Sequence, residues 1–129
     1  MPTIANHMSS DLLTVSAGER LGEAAKRMVA RGVGAVLVME GERLEGILTE
    51  RDLMRAVAGG YSENAVVADW MTRHPETVEA SDATDHAASL MIHGGFRHLP
   101  VLDGGRVCGI ISIRDLMRVA LADSSPRGV

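Results

Sequence analysis

The chain twice places a hydroxyl side chain three positions before an aspartate, directly after an apolar stretch. Thr49 precedes Asp52 in "GILTERD", and Ser112 precedes Asp115 in "GIISIRD". A carboxylate can accept hydrogen bonds from two vicinal hydroxyls, and the backbone N–H groups at a helix N-terminus attract phosphate. The same spacing also forms a capping box, in which the two side chains only satisfy the first turn of a helix. The residues therefore allow two interpretations, a ligand site and a helix cap.

Both junctions belong to an internal repeat with a constant offset of 63 positions. The offset holds without a gap between 8–55 and 71–118, and it pairs identical residues such as Gly46 and Gly109. Self-similarity at a fixed offset indicates a duplicated structural unit. Because a copy of about 50 residues buries too little apolar surface to be stable alone, the two copies are expected to share a core.

Each copy carries the coarse pattern β-α-β-β-α. Apolar residues at i, i+3, i+4, i+7 and i+8 predict an amphipathic first helix; in the two copies they are Leu21, Ala24, Ala25, Met28, Val29, Ala87, Ala88, Met91 and Ile92. Gly32 and Gly95 suit the left-handed position that ends these helices. The stretches "MEGER" and "LDGGR" predict tight turns between paired strands. The methionines at 28, 54, 91 and 117 are predicted to lie in the core.

These elements predict an α/β (α+β) fold of two β-α-β-β-α repeats. We expect the repeats to be related by a pseudo-twofold axis, with their sheets packed together and their helices outside. The expected organisation is a first repeat at 1–60, a linker and lead-in at 61–70, a second repeat at 71–121, and a flexible tail at 122–129.

The composition of the 129-residue chain argues against several classes of function. The net charge is −4 and no basic run is present, which argues against a surface for nucleic-acid backbone. Tyr61, Trp70 and Phe96 are the only aromatic residues, too few for base-stacking platforms. Apolar residues make up 46% and charged residues 23%, as in ordinary globular proteins.

No catalytic or metal-binding motif is recognisable. Cys108 is the single cysteine, so neither a disulfide nor a cysteine-based zinc site forms within the chain. His86 and His93 share one helix, but no third ligand completes a metal site with them. No phosphate-binding glycine loop and no Ser/His/Asp set is present. Without an apolar span or a signal peptide, the chain is interpreted as cytoplasmic. Without a catalytic motif, it is interpreted as a sensor or regulator and not an enzyme.

The sequence resembles the cystathionine-β-synthase (CBS) domain family, in the tandem arrangement called a Bateman module. The resemblance covers 8–121 and rests on "GILTERD" and "GIISIRD", on "GAVLVMEGERLEG" and "RHLPVLDGGRVCG", and on the lead-in "VADWMT" before "TV". It implies a module that binds adenosine-containing ligands in clefts between its repeats. It also implies a homodimer in which two modules stack into a flat disc.

Carried onto this chain, the resemblance assigns roles to each part of an adenine nucleotide. Asp52 and Asp115 would accept hydrogen bonds from ribose, and Thr49 and Ser112 would donate to phosphate. The residues that would line the adenine slot are Thr14, Val15, Thr77, Val78, Val36 and Leu99.

The two copies differ in the cations that a phosphate needs. The second copy has Arg97, His98 and Pro100 where the first has Gly34, Ala35 and Leu37. Arg51 and Arg114 are candidate compensating cations, although on a first helical turn each can equally face solvent. The two sites are therefore expected to be inequivalent, with at least one poorer in charge.

The resulting hypothesis is a stand-alone, energy-sensing regulatory module for AMP, ADP or ATP that signals to a separate effector protein and needs no cofactor. Two alternatives stay open. One is a module for another adenosyl ligand, S-adenosylmethionine or NAD. The other is a ligand-free dimeric scaffold, in which both aspartates only cap helices.

Overall fold

A computed structural model of the chain describes residues 2–123, and these residues form two compact units. The first unit is Leu12–Pro75, and the second unit combines the residues up to Asp11 with those from Glu76 onward. Each unit contains one copy of the repeat. The predicted mixed α/β fold with two tandem repeats is confirmed.

The first unit is built on a four-stranded sheet in the order β1-β2-β3-β4. Strands β1 and β2 are parallel, whereas β3 is antiparallel to both β2 and β4. The strands are β1 Thr14–Val15, β2 Ala35–Glu40, β3 Arg43–Thr49 and β4 Thr72–Arg73, and the helices are α1 Leu21–Arg31, α2 Glu50–Ala58 and α3 Val67–Trp70.

The second unit repeats this plan with a three-stranded sheet in the order β5-β6-β7. Its strands are β5 Val78–Glu79, β6 His98–Asp103 and β7 Arg106–Ser112, and its helices are α4 Thr84–Gly94 and α5 Ile113–Asp123. Both hairpins, β2–β3 and β6–β7, carry a register shift at the same repeat position. The sequence repeat thus corresponds to a repeat of backbone structure that includes this register shift.

Each unit takes its edge segment from the neighbouring part of the chain. The residues before Asp11 include a 3₁₀ turn at Ile4–Asn6, and Ser9 forms two backbone hydrogen bonds with Ile110 of β7, at 2.9 and 3.0 Å. At the equivalent place in the first unit, Thr72 of β4 pairs with Ile47 of β3. The segments that precede the two copies, the lead-ins at 2–11 and 67–72, therefore each pack in the unit of the other copy.

The cores of the two units are aliphatic, as the scarcity of aromatic residues requires. Leu21, Ala24 and Met28 of α1 are buried, and so are Ala87 and Met91 of α4. The helices end where predicted, because Gly32 and Gly95 adopt left-handed conformations with φ of 66° and 74°. No L residue with a Cβ adopts this conformation as readily.

Four apolar residues predicted to face the core are exposed instead. Val29 is 82% exposed and Ile92 is 76% exposed, while Met54 and Met117 are 73% and 58% exposed. An α-helix turns by about 100° per residue. Val29 and Ile92 stand eight positions after the first residue of the apolar face, so they lie at its outer edge and outside the core. Met54 and Met117 lie on the outer faces of α2 and α5, so the prediction that all four methionines are core residues is wrong for this pair.

Two further features concern the described part of the chain. No helix within residues 2–123 is long and apolar enough to cross a bilayer. The same residues contain no group of three or more His, Cys, Asp or Glu side chains placed to hold a metal ion. Of the predicted tail at 122–129, residues 124–129 lie outside the described residues, and α5 extends to Asp123.

Candidate functional site at the strand-to-helix junctions

At the first junction, β3 ends at Thr49 and α2 begins at the next residue. The Asp52 backbone N–H donates to Thr49 Oγ1 at 3.3 Å, and the Thr49 backbone N–H donates to Asp52 Oδ2 at 2.9 Å. These reciprocal bonds are a capping box. The cap interpretation of this motif is confirmed, with the shorter Asp in place of the usual Glu or Gln.

The second junction, where β7 runs into α5, has the same geometry. The Ser112 backbone N–H donates to Asp115 Oδ2 at 2.8 Å, and the Asp115 backbone N–H donates to Ser112 Oγ at 3.2 Å. The Ser112 hydroxyl donates to Asp115 Oδ2 at 3.0 Å, as Thr49 does to Asp52 at 3.1 Å. Either hydroxyl would have to turn away from its carboxylate to donate to a phosphate.

The two carboxylates differ in their second oxygen and in their exposure. Asp52 Oδ1 lies 3.0 Å from Arg55 Nη2 and also accepts from the Thr72 hydroxyl at 3.4 Å. Asp115 Oδ1 accepts from Arg118 Nη1 at 3.1 Å. The Asp52 side chain is 3% exposed and the Asp115 side chain is 14% exposed. Only the second junction presents its carboxylate to solvent.

The predicted difference in cations has a structural counterpart. The backbone N–H of Ile113, the first residue of α5, donates to the Arg97 carbonyl at 2.9 Å, and His98 pairs with Ser112 across β6 and β7. In the first unit the same positions are held by Gly34, which accepts from the Glu50 N–H at 3.0 Å, and by Ala35, which pairs with Thr49. The backbones of Arg97 and His98 therefore lie beside the start of α5, where the first unit has Gly34 and Ala35 beside the start of α2.

The arginines that precede each aspartate lie on the first turns of their helices. Arg51 and Arg114 are both exposed. The dipole of a helix favours negative charge at this end, and both arginines belong to the helical turn that a bound anion would approach.

The residues predicted to line an adenine slot are divided between core and surface. Thr14 is exposed and Thr77 is half-buried. The remaining members, all buried in the core of their own unit or on its sheet, are Val15, Val36, Val78 and Leu99. Pro100, which differs from Leu37 of the first copy, is buried as well. Their contact with a purine stays a prediction.

Sequence reasoning did not identify three side chains that hold the carboxylates. Arg55 and Arg118 were visible as repeated residues, and their i, i+3 spacing from Asp52 and Asp115 was the available signal for an ion pair. Thr72 lies 20 positions after Asp52, and only the pairing of β3 with β4 brings them together. A contact of this kind leaves no local signal.

The resolved pKa shifts lie away from the junctions. Burial raises the pKa of the Cys108 thiol, and the nearby Asp103 and Glu79 carboxylates add to this effect. The Cys108 Sγ lies 4.0 Å from the thioether sulfur of Met8. The neighbouring Glu45 and Arg43 side chains lower the pKa of the exposed Glu40 carboxyl, which accepts a hydrogen bond from Arg43 Nη2 at 3.0 Å. An apolar packing role for Cys108 accounts for the burial of its thiol and for its contact with Met8.

Comparison with protein families gives two matches within the chain, both to the CBS domain, at residues 4–59 and 67–122. A 17.7 kDa protein of Acidianus ambivalens is 37% identical over 103 residues, covering 78% of this chain and 62% of that protein. A Methanocaldococcus jannaschii protein is 31% identical over 117 residues, and the match covers 90% of this chain but 42% of that protein. A CBS domain-containing protein of Bacillus subtilis is 31% identical, with coverages of 90% and 84%.

Solved structures resemble the chain over nearly its whole length. A protein with CBS domains from Burkholderia ambifaria has a TM-score of 0.86 and 38% identity, covering 93% of this chain and 90% of that one. CBSX2 in complex with AMP has a TM-score of 0.82 and 27% identity, with coverages of 96% and 99%. A CBS domain pair in complex with 5′-methylthioadenosine and S-adenosyl-L-methionine has a TM-score of 0.87 and 25% identity, with coverages of 95% and 98%.

Proposed function

Because the chain belongs to the CBS domain family and carries two CBS domains in tandem, we propose that it is a regulatory module that binds an adenine nucleotide and signals to a separate effector protein. The relatives with bound AMP, 5′-methylthioadenosine and S-adenosyl-L-methionine support an adenosyl ligand as the class. In this proposal the chain is a sensor and performs no reaction on the nucleotide. Binding changes the population of conformations by no more than its difference in affinity for them.

The observation that carries this proposal is the second junction, where a partly exposed carboxylate lies beside basic residues at a helix N-terminus. Asp115 would accept from ribose hydroxyls, each charge-assisted hydrogen bond contributing about 1.5–3 kcal/mol. The backbone N–H groups of α5, with Arg97 and Arg114, would hold the phosphate. The aliphatic side chains of the second unit would bury the purine at about 25 cal/mol per Å² of apolar surface.

The charge of the second junction favours a phosphorylated ligand over S-adenosylmethionine. The backbones of Arg97 and His98 lie beside the start of α5, and Arg114 is the second residue of that helix. A sulfonium cation gains nothing from these groups, whereas a phosphate is attracted to them and to the helix dipole. We therefore propose AMP, ADP or ATP as the ligand, with NAD as the alternative that also carries phosphate.

A ligand-free scaffold is the second candidate, and the capping boxes favour it. Both aspartates already have a structural role, because each completes the first turn of its helix. If this were their whole function, the chain would act through its surfaces alone. The large exposed apolar side chains on its helices would then be its main means of association.

In either case we propose that two copies of the chain associate into a disc through their helices. The apolar side chains exposed on the helices are Val29, Met54, Val57, Ile92, Met117 and Leu121. Their burial in a homodimer would remove apolar surface from water.

A thermal-shift panel separates these candidates. The panel comprises AMP, ADP, ATP, NAD, S-adenosylmethionine and cyclic dinucleotides. GMP is the control, because it has the same charge as AMP and a different base. A ligand at 100 times its dissociation constant stabilises the folded chain by about 2.7 kcal/mol, which corresponds to a Tm increase of several degrees. We expect such an increase with an adenine nucleotide and none with GMP. A flat response across the panel would favour the scaffold.

A further inference from the structure

The Thr72 hydroxyl binds the carboxylate of Asp52 and completes its coordination by the chain itself. A carboxylate offers about four lone-pair sites for hydrogen bonds. At Asp52, the Thr49 N–H and hydroxyl bind Oδ2, while Thr72 and Arg55 bind Oδ1. All four sites are therefore used, and the side chain is almost fully buried.

The equivalent carboxylate in the second unit retains one acceptor site. Within the described part of the chain, three donors reach Asp115: the Ser112 N–H, the Ser112 hydroxyl and the Arg118 guanidinium. The residue equivalent to Thr72 is Ser9, which pairs with Ile110 through its backbone. Thr72 and Ser9 are both exposed, but no side-chain bond joins Ser9 to Asp115 among the described residues, and the Asp115 side chain is 14% exposed against 3% for Asp52. The two junctions thus differ by one hydrogen bond from the lead-in segment.

The lead-in segment at 67–72, which belongs to the first unit, packs closely against β3 beside this junction. A Cβ built on Gly46 of β3 would lie 2.6 Å from the Thr72 carbonyl and 3.1 Å from the Met71 sulfur, so the segment lies directly on the glycine. Met71 is itself buried in the core of the first unit. The second unit has the same close approach, since a Cβ built on Gly109 would lie 2.9 Å from the Ser9 carbonyl. The two backbones are therefore placed alike, and the difference between the junctions lies in the hydrogen bond from the Thr72 side chain.

From this geometry we infer that Thr72 closes the first junction to ligands, so that the chain carries a single adenosyl site, at Asp115. The inference rests on the proposed function for its ligand but not for the contact itself. A ribose hydroxyl can bind Asp52 only after displacing Thr72 or Arg55, whereas it can bind Asp115 without displacing a donor. Thr72 is a positioning residue that sets the number of sites through Asp52.

The contact is tested without ligand by a double-mutant cycle of Thr72→Val and Asp52→Asn. Urea unfolding is followed by the fluorescence of Trp70, the single tryptophan, which lies in the same unit. Each single substitution is expected to raise the unfolding equilibrium constant about fivefold. In the double variant the increase is expected to be at least about threefold smaller than the product of the two single increases. If the increase in the double variant equals the product of the two single increases, Thr72 and Asp52 are not coupled and the inference is overturned. For the matched pair Ser9→Ala and Asp115→Asn, the increase in the unfolding equilibrium constant of the double variant is expected to equal the product of the single increases to within about twofold.

The consequence for ligand number is tested by calorimetric titration with AMP. The wild-type chain is expected to bind one AMP, and Thr72→Val is expected to add a second, weaker binding event. Two equivalents bound by the wild type, or one bound by Thr72→Val, would overturn the inference while leaving the proposed function in place. If no protein in the series binds AMP or another panel nucleotide, the proposed function and the single-site inference both fail, and the coupling energy still decides whether Thr72 holds Asp52.

Discussion

Asp115→Asn is expected to weaken AMP binding at least about tenfold, because it removes the charge of the junction carboxylate that keeps an acceptor site among the contacts of residues 2–123. A tenfold loss corresponds to about 1.4 kcal/mol, slightly less than one charge-assisted hydrogen bond. Asparagine keeps the shape of the side chain and can still accept from the Ser112 N–H, so the helix start is expected to persist. The dissociation constant is measured by calorimetry well below the Tm of both proteins.

Asp52→Asn is the matched control for this prediction. It makes the same chemical change in the same capping box, at a carboxylate that is buried and fully occupied. We expect it to lower the Tm at least as much as Asp115→Asn and to leave AMP affinity within about twofold, since no ribose contact is lost. Equal losses of affinity in the two variants would contradict the assignment of the ligand to the second junction. Negligible losses in both would favour the interpretation that both aspartates are only caps.

Ile4→Ala is expected to destabilise the protein by about 2–4 kcal/mol, although Ile4 lies almost at the start of the chain. Its side chain is fully buried in the core of the second unit, with Val78 and Leu99 among its neighbours there. The backbone N–H of Ile4 also donates to the Asp82 carbonyl at 2.9 Å. The free energy of unfolding is measured by urea titration, and amide exchange then reports which strands lose protection.

Val67→Ala and Val29→Ala are the controls for this experiment. Val67 is equivalent to Ile4 in the repeat and is fully buried in the first unit, so its substitution is expected to reduce protection in β2 and β3. Val29 is 82% exposed, and its substitution is expected to change stability by no more than about 0.5 kcal/mol. Ile4→Ala should reduce protection in β6 and β7. Loss confined to the first unit would contradict the packing described for the lead-in segments.

Features that depend on neighbouring residues were predictable from the sequence. The hairpin turns, the helix ends at Gly32 and Gly95, and the hydroxyl and aspartate of each cap all depend on residues a few positions apart. The constant offset of 63 positions then extended each local prediction to the second copy. The two copies also share one backbone irregularity, the register shift in each hairpin, at equivalent positions of the repeat.

Features that depend on distant residues were not predictable. Nothing near residue 9 or residue 72 indicates that each lead-in segment packs against the other copy, because edge-strand pairing is decided by tertiary structure. The exposure of Met54 and Met117 has a similar cause. Their apolar character and helical spacing are those of core residues, and only the packed unit determines which face of α2 and α5 is covered.

The inequivalence of the two junctions has one predictable and one unpredictable component. The basic residues Arg97 and His98, against Gly34 and Ala35, are visible in the sequence, and the structure places them next to the start of α5. The saturation of Asp52 by Thr72 requires the pairing of β3 with β4. Both components favour the second junction, although they have independent physical origins, one in charge and one in hydrogen bonding.

The most direct test of an adenosyl site at Asp115 is a titration of the ¹⁵N-labelled chain with AMP, followed by NMR. The account predicts that the amide signals of Ile113, Arg114 and Asp115 shift and saturate at one AMP per chain, while those of Glu50, Arg51 and Asp52 stay in place. Equal shifts at both junctions, or none at either up to saturating AMP, would contradict it.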